Sequence, residues 1–536
     1  MSSIIHHHPL LGDIKGVLVH EELIQYRSIR YAFIPKRFAR SKLFKDTNIE
    51  LDATEVGPSS IQPFDSPKTD ADMNQLPINN ENQIQSEDCL RVTITSPTKI
   101  AQNLPVVVFL HGGAFFVGSG ERTCYSPINF CLEAIKMKKP LVFVSMNYRL
   151  GSLGFLHSPN LPEVMPPNNA LHDQLRCFEW IKENISGFGG DFTNVTAIGQ
   201  SAGAESLALH NLSGTNVSLY RRSIILSGSP VCMPSKTPDQ HQENFIKQAQ
   251  KIGIVTHGKT TTSIADELMN VDVDKIRKVE VVGAPCSSSE VIPYEQPTIK
   301  MISTEMPSQV SWLESQIVST CTYDGGISHN IISSNKKRSG HAKSFIKLAR
   351  GKLKHPDVIL GMYNLNENVE DKVALMRICQ LESDVGFFGA AHGYINGTFK
   401  KTKSYFQIFD LKNPFEGHLP TNKYATHTFD IVALLGGCQK QLEDAKEFES
   451  SIRAVTEWRR KIINYICSGE APCQEFEMNS ALLVDSTGAN SITKEMYAGA
   501  NTRFGELLEY VEMEGERGFD VLWFDVFRPW LDEVEE

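Results

Sequence analysis

The sequence has no apolar run approaching the ~18 residues that a membrane-spanning helix needs, so a helical membrane anchor is not expected within it. Residues Met1 to Leu11 lack a basic stretch followed by an apolar core, so no export signal is expected there. Positive charge is not in excess. Lys and Arg number 53 against 63 Asp and Glu, a net charge of −10, which gives a polyphosphate partner such as nucleic acid nothing to bind. No repeat, low-complexity tract or linker divides the 536 residues, so residues 1–536 are expected to form a single domain despite their number. Tryptophan is scarce. The five are Trp180, Trp312, Trp458, Trp523 and Trp530, and none falls in the polar segment from Gln62 to Gln85, which is expected to be an exposed loop. Cysteine totals 11, an odd number, so at least one thiol stays free or pairs between chains. His6, His7 and His8 are adjacent near one end, where solvated side chains are expected rather than a metal site. No other grouping calls for a metal or a cofactor.

What the sequence does contain is Gly199-Gln200-Ser201-Ala202-Gly203. A short apolar run, Val195 to Ile198, precedes it, and a segment of helix-forming residues, Ala204 to Leu209, follows. Strand, sharp turn and helix are the setting in which the serine of G-x-S-x-G becomes a nucleophile. The turn forces that serine into a strained backbone conformation, and side chains larger than hydrogen at the flanking glycines would clash. Upstream, Leu104 to Leu110 is continuous in apolar residues, as a parallel strand buried on both faces is. It leads into His111-Gly112-Gly113-Ala114-Phe115, whose glycines leave backbone N–H groups unhindered for a developing oxyanion, although an ordinary glycine turn has the same composition.

Together with Ser86-Glu87-Asp88-Cys89-Leu90, Asn147-Tyr148-Arg149-Leu150-Gly151, Asn169-Ala170-Leu171-His172-Asp173-Gln174 and Phe188-Gly189-Gly190-Asp191, these stretches resemble the type-B carboxylesterases, the family of cholinesterases and fungal lipases. The resemblance is dense from about Gly12 to Pro230 and thin beyond. It implies an α/β-hydrolase fold, a large and mostly parallel sheet flanked by helices with family insertions. It also implies a small-molecule ester as substrate.

The family order is serine, acid, histidine, the last two on loops after later strands. Gln316 to Cys321 is expected as one such strand, and Thr322-Tyr323-Asp324-Gly325-Gly326 follows it. Asp324 then takes the place usually held by glutamate. A register shifted by one puts Gly325 there instead and leaves no carboxylate. Ser404 to Phe409 is expected as the next strand, and Tyr424-Ala425-Thr426-His427-Thr428-Phe429-Asp430 resembles the family's histidine followed three residues later by an acid. His418 is the nearest competitor among 16 histidines.

The resemblance therefore implies Ser201 as nucleophile, His427 as general base and Asp324 as the acid that orients it, with Gly112, Gly113 and Ala202 as oxyanion donors. Ester hydrolysis is the expected activity. Transfer of the acyl group to an alcohol or amine, or lactone chemistry, would use the same residues. A non-catalytic scaffold, known among relatives, would not need them. Arg37 with Glu87 and Arg149 with Asp173 resemble family ion pairs, and Asp384 a helix residue outside the triad. Ser206 either reaches the triad or makes a local backbone bond. Secreted relatives pair the cysteine of the Glu-Asp-Cys-Leu motif with one just after Gly-Pro. Here Gly57-Pro58 is followed by Ser59, so Cys89 lacks that partner, and a reduced, cytoplasmic protein is expected.

Overall fold

The structure, a computed structural model, describes residues 2–45, 49–77, 84–99, 101–279, 283–335, 337–445 and 448–532. Its strands, in chain order, are β1 (Ser3–His8), β2 (Gly12–His20), β3 (Leu23–Arg30), β4 (Ala32–Phe33), β5 (Lys42–Leu43), β6 (Ile49–Ala53), β7 (Arg91–Pro97) and β8 (Leu104–Leu110). They continue with β9 (Val142–Met146), β10 (Gly190–Gln200), β11 (Arg222–Leu226), β12 (Ser315–Cys321), β13 (Lys403–Phe409), β14 (Ser480–Asp485) and β15 (Gly488–Thr493). All but β4 and β5, which pair with each other, join one sheet in the order β1-β2-β3-β7-β9-β8-β10-β11-β12-β13-β14-β15, with β6 on β2. From β9 to β14 every pairing is parallel. The antiparallel pairs lie at the two ends.

Alternation along β8 explains its unbroken apolar sequence. Val106, Val108 and Leu110 enter the core on one face, with the helices Asn169–Asn184 and Ala202–Asn211. Val107 and Phe109 enter the core on the other, with the helices Ile128–Lys136, Phe429–Leu435 and Glu449–Ser468. A strand covered by helices on both faces has no solvent side to make polar. The four strands expected from sequence are present, β10 being longer than its apolar core, and the expected helix extends from Ala202 to Asn211.

The chain reverses its direction of travel across the sheet between β8 and β10. After β8 it crosses to β9 on one side, and β10 then pairs with β8 on the other. Ligand sites in open α/β sheets lie at the carboxyl ends of strands at such a switch point. Here those ends carry His111-Gly112-Gly113 and Ser201.

Two expectations are corrected. The segment from Gln62 to Gln85 is not simply an exposed loop. It holds a helix, Ser66–Asn74, with Ser66, Asp70, Ala71 and Asn74 buried, while 78–83 lie outside the described residues. Gln75, just beyond that helix, donates to the carbonyls of Phe415 and Leu419 at 2.6 and 3.2 Å, which ties the segment to the chain leading to His427. The histidines near the start are not all solvated. They lie in β1, and His8 is buried, its Nε2 2.9 Å from the Asn184 carbonyl and its Nδ1 accepting from the backbone of Leu11. Burial lowers the pKa of His8, so this ring is a neutral part of the sheet edge.

All eleven cysteines are free thiols. Cys89 is fully buried, and burial pushes its thiol up to about 12. No helix of the described residues is long and apolar enough to cross a membrane.

Arg149 and Asp173 form a bidentate pair, both contacts 2.8 Å, and both side chains are almost wholly buried. A third guanidinium nitrogen donates to the Ala39 carbonyl at 2.8 Å. Removing one member of such a pair strands a charge and typically costs about 3–5 kcal/mol, whereas replacing both with apolar groups of similar volume is close to neutral. Arg149→Met is therefore expected to lower unfolding free energy by about 3–5 kcal/mol, and Arg149→Met with Asp173→Leu to recover most of it, as read by urea denaturation.

Candidate active site

Ser201 stands between β10 and its helix with φ 54° and ψ −122°, a conformation disfavoured for any residue but glycine. The backbone holds it there. Its N–H donates to the Leu226 carbonyl at 2.9 Å, and its carbonyl accepts from Glu205 N–H at 2.8 Å. The flanking glycines are steric necessities. A Cβ on Gly199 would lie 2.3 Å from the Gly203 carbonyl oxygen, and one on Gly203 would lie 2.1 Å from that of Leu110. Ala202 opens the helix, so its N–H has no intrahelical acceptor and sits at the positive end of the helix dipole.

The loop after β8 is equally constrained. Gly113 has φ +102°, and a Cβ there would meet the Val117 carbonyl at 2.1 Å. The Gly113 carbonyl accepts from both Phe116 and Val117, closing the turn. His111 stacks on Tyr148 with ring centroids 4.5 Å apart, and the Tyr148 hydroxyl donates to the His111 carbonyl at 2.6 Å. Burial pushes the His111 imidazole down to about 4, so it serves as a neutral wedge behind the glycines. Gln62 clamps the far end of the loop, accepting from Gly118 N–H at 2.8 Å and donating to its carbonyl at 2.9 Å.

Asp324 follows β12, and its Oδ1 is 2.6 Å from Nδ1 of His427. Its Oδ2 accepts from the backbone of Cys321 at 2.8 Å and from the Thr320 hydroxyl at 3.0 Å. Those two bonds fix the carboxylate and leave Oδ1 for the imidazole. Aspartate is one methylene shorter than glutamate, and here it still reaches the imidazole. The acid loop is hydrogen-bonded to the histidine loop, Tyr323 N–H donating to the Ala425 carbonyl at 3.1 Å, and the rings of Tyr323 and Tyr424 lie 4.2 Å apart. Gly325 instead packs against the Cys379 carbonyl and the Glu382 carboxyl. His418 is directed elsewhere, its Nε2 2.9 Å from the Gly326 carbonyl and its ring stacked on His329.

The other nitrogen of His427 has a partner that the sequence did not suggest. Nε2 lies 3.1 Å from Nε2 of Gln200, the residue immediately before Ser201. Among the described residues, no hydrogen bond joins the Ser201 hydroxyl to His427. Phe387 was also missed. Its ring meets that of His427 edge to face at 5.2 Å. It is carried by a π-helical segment, Ser383–Gly389, in which a Cβ on Gly386 would fall 2.2 Å from the Trp523 ring. No motif marks Phe387, because it belongs to the half of the chain where the resemblance is thin.

Several neighbours are structural in geometry. Ser206 donates to the Ala202 carbonyl at 2.9 Å, the local backbone bond, and accepts from Gln174 of the helix Asn169–Asn184 at 3.0 Å, so neither contact is with Asp324 or His427. Asp384 is buried with Tyr363 at 2.7 Å and Arg503 at 2.9 Å. Arg37 holds Glu87 through two bonds of 2.6 and 2.8 Å. Asp430 accepts from its neighbour Ile431 N–H at 2.7 Å, and burial, together with the Asp324 charge, pushes its carboxyl up to about 6. Among the described residues no group of three or more His, Cys, Asp or Glu converges in a way that would hold a metal ion.

This fold and this strand-turn-helix serine define an α/β-hydrolase. The chain belongs to the carboxylesterase family, which it matches over residues 3–470. It is 34% identical to the para-nitrobenzyl esterase of Bacillus subtilis (strain 168) over 275 residues, 50% of this chain and 52% of that protein. It is 31% identical to Lipase 3 of Yarrowia lipolytica (strain CLIB 122 / E 150) over 314 residues, 56% of this chain and 58% of that one. The alignments thus span little more than half the length of these relatives. A solved structure of a thermophilic PNB esterase superposes with a TM-score of 0.73 at 22% identity, covering 94% of this chain and 100% of that chain.

Among the described residues only one buried acid, Asp324, touches the imidazole at Nδ1. Asp324→Asn is expected to lower kcat by about 10⁴, since an amide can impose the wrong tautomer. Asp384→Asn and Asp430→Asn are expected to leave kcat within about tenfold. Steady-state kinetics on the three variants, with circular dichroism to check folding, separate these outcomes.

Proposed function

We propose that this protein hydrolyses uncharged carboxylic esters through an acyl-enzyme on Ser201. The observation that carries the reading is the Asp324–His427 hydrogen bond, whose imidazole reaches the residue adjoining a serine held on a strained elbow. In the proposed cycle the Ser201 hydroxyl attacks the ester carbonyl while His427 Nε2 takes its proton. Asp324 keeps the remaining ring proton on Nδ1 and stabilises the imidazolium. The carbonyl oxygen, now an anion, receives the backbone N–H groups of Gly112, Gly113 and Ala202. The imidazolium then passes its proton to the departing alkoxide. Water repeats the sequence on the acyl-enzyme, releasing the carboxylate and restoring Ser201. This route draws on side chains and backbone alone. Each oxyanion donor contributes ~10²–10³ in rate, comparable to the proton transfer itself.

Membership of the carboxylesterase family and the esterases among the relatives support hydrolysis. The free thiols support a protein that works in a reducing compartment, the cytoplasm in this proposal.

Ser201→Ala is expected to lower turnover of a short p-nitrophenyl ester by at least about 10³-fold and to abolish labelling by an organophosphate, with folding unchanged. A scaffold without catalysis would show neither turnover nor labelling in the native protein.

The residues around the nucleophile favour neutral substrates. A quaternary ammonium is held best over the face of a tryptophan, and residues 62–88 contain none. Gln200 is also uncharged, so no carboxylate adjoins the nucleophile in sequence on that side. An uncharged butyrate ester is expected to give a higher kcat/KM than butyrylcholine, and the reverse order would refute this preference.

A further inference from the structure

Gln200 spans two parts of the site. Its amide nitrogen is 3.1 Å from His427 Nε2, while its amide oxygen lies beside Gly112, only 2.5 Å from where a Cβ on that glycine would be. Gln200 and His427 are both buried, each about 1% exposed. The direction of the bond follows from the other side of the ring. Nδ1 carries the proton shared with Asp324, so Nε2 of the neutral imidazole presents its lone pair, and the Gln200 amide must be the donor. A ring nitrogen has a single in-plane lone pair. While Gln200 occupies it, the imidazole cannot accept the Ser201 proton.

We propose that Gln200 is a positioning residue that caps the lone pair of His427 in the resting enzyme and is displaced when a substrate carbonyl comes in beside Gly112. The inference rests on His427 being the general base, as set out above. Contact at the oxyanion loop and release of the base are then one event, because the same side chain touches both. Bulk water near Ser201 meets a base that is already occupied.

This arrangement has a kinetic signature. The cap stabilises only neutral His427. It therefore lowers the plateau of kcat/KM at high pH and lowers the apparent ionisation by the same logarithm. On the acid limb the protonated imidazole dominates, the cap is absent, and the rate does not depend on it. Gln200→Met keeps the length of the side chain and removes the donor. One neutral hydrogen bond corresponds to about three- to tenfold, so the variant is expected to plateau about three- to tenfold higher. Its inflection is expected about 0.5–1 pH unit higher, and its acid limb should superimpose on that of the wild type. Gln200→Glu places a carboxylate against the imidazole, which favours the imidazolium, and its inflection is expected to rise further than that of the methionine variant.

The groups facing His427 are Asp324 from the loop after β12, Asp430 from the helix Phe429–Leu435, Gln200 from the end of β10 and the Phe387 ring. Asp430, whose carboxyl burial pushes up to about 6, is present in every variant and cancels from the comparison.

The test is the pH dependence of kcat/KM for one uncharged p-nitrophenyl ester, for wild type, Gln200→Met and Gln200→Glu, with Ser201→Ala as control. An upward inflection in both variants, with superimposed acid limbs for Gln200→Met, supports the cap. An unchanged inflection in Gln200→Met, or a parallel loss along the whole profile, overturns it and leaves Gln200 as packing. If Gln200→Met does not fold, Gln200→Leu, which likewise removes the donor, takes its place, and an unshifted inflection there overturns the cap equally. A wild type that neither turns over ester nor reacts with organophosphate through Ser201 would refute the proposed function instead.

Discussion

The close approach of the Gly203 backbone to the end of β8 is the contact on which the rest of the site depends. The Leu110 carbonyl would lie 2.1 Å from any Cβ at position 203, so the helix that begins at Ala202 can be this near the strand only because that residue has no side chain. The approach aligns three things at the carboxyl edge of the sheet. Ser201 is tipped out of the strand with a positive φ, the first N–H of the helix is left open, and the glycine loop after β8 comes alongside. A strained residue of this kind costs of order 1–3 kcal/mol and persists only where its surroundings determine it. Here β8 on one side and β11 on the other do so, through Gly199 paired with Leu110 and the Ser201 N–H bonded to Leu226.

Around that elbow the molecule works as two halves that meet at His427. The first half, to about residue 226, supplies the serine, the glycine loop and the buried Arg149–Asp173 pair that braces the turn after β9. The second supplies Asp324, His427 and Phe387. The helix Ser66–Asn74 and the residue after it cross between them. Asn74 accepts from the Thr428 hydroxyl at 2.8 Å, and the Gln75 carbonyl accepts from Asn413 at 3.0 Å. Residues beyond 470 contribute too, since Trp523 packs under Gly386 in the segment that carries Phe387. Side chains with no chemical role thereby fix the imidazole from several directions, as a site accurate to fractions of an ångström requires.

The buried acids around Asp324 show how environment separates residues of one type. Asp324 is given two donors at one oxygen and the imidazole at the other. Asp430 is buried beside it, and its carboxyl is pushed up to about 6. Glu382 is buried with one oxygen bonded to Ser328, and burial pushes it up to about 8, so at neutral pH it is largely uncharged. Low dielectric disfavours several carboxylates at close range, and burial raises Asp430 and Glu382 accordingly.

By itself the sequence determined the parts that are local. A five-residue turn with glycines at both ends and an apolar strand running into His-Gly-Gly are legible because each is written in contiguous residues whose sterics leave few alternatives. The Asp324 register was not local. Whether Asp324 or Gly325 faces the histidine depends on how the acid loop is hydrogen-bonded to residues one hundred positions later, and the tertiary structure brought Asp324 to His427. The burial of His8, the helix within 62–85 and the bond from Gln174 to Ser206 were likewise decided by packing partners remote in sequence. Gln200 marks the boundary between the two. Its neutrality could be read from the sequence, but its contact with His427 exists only because a strand end and a distant loop converge on the same few ångströms.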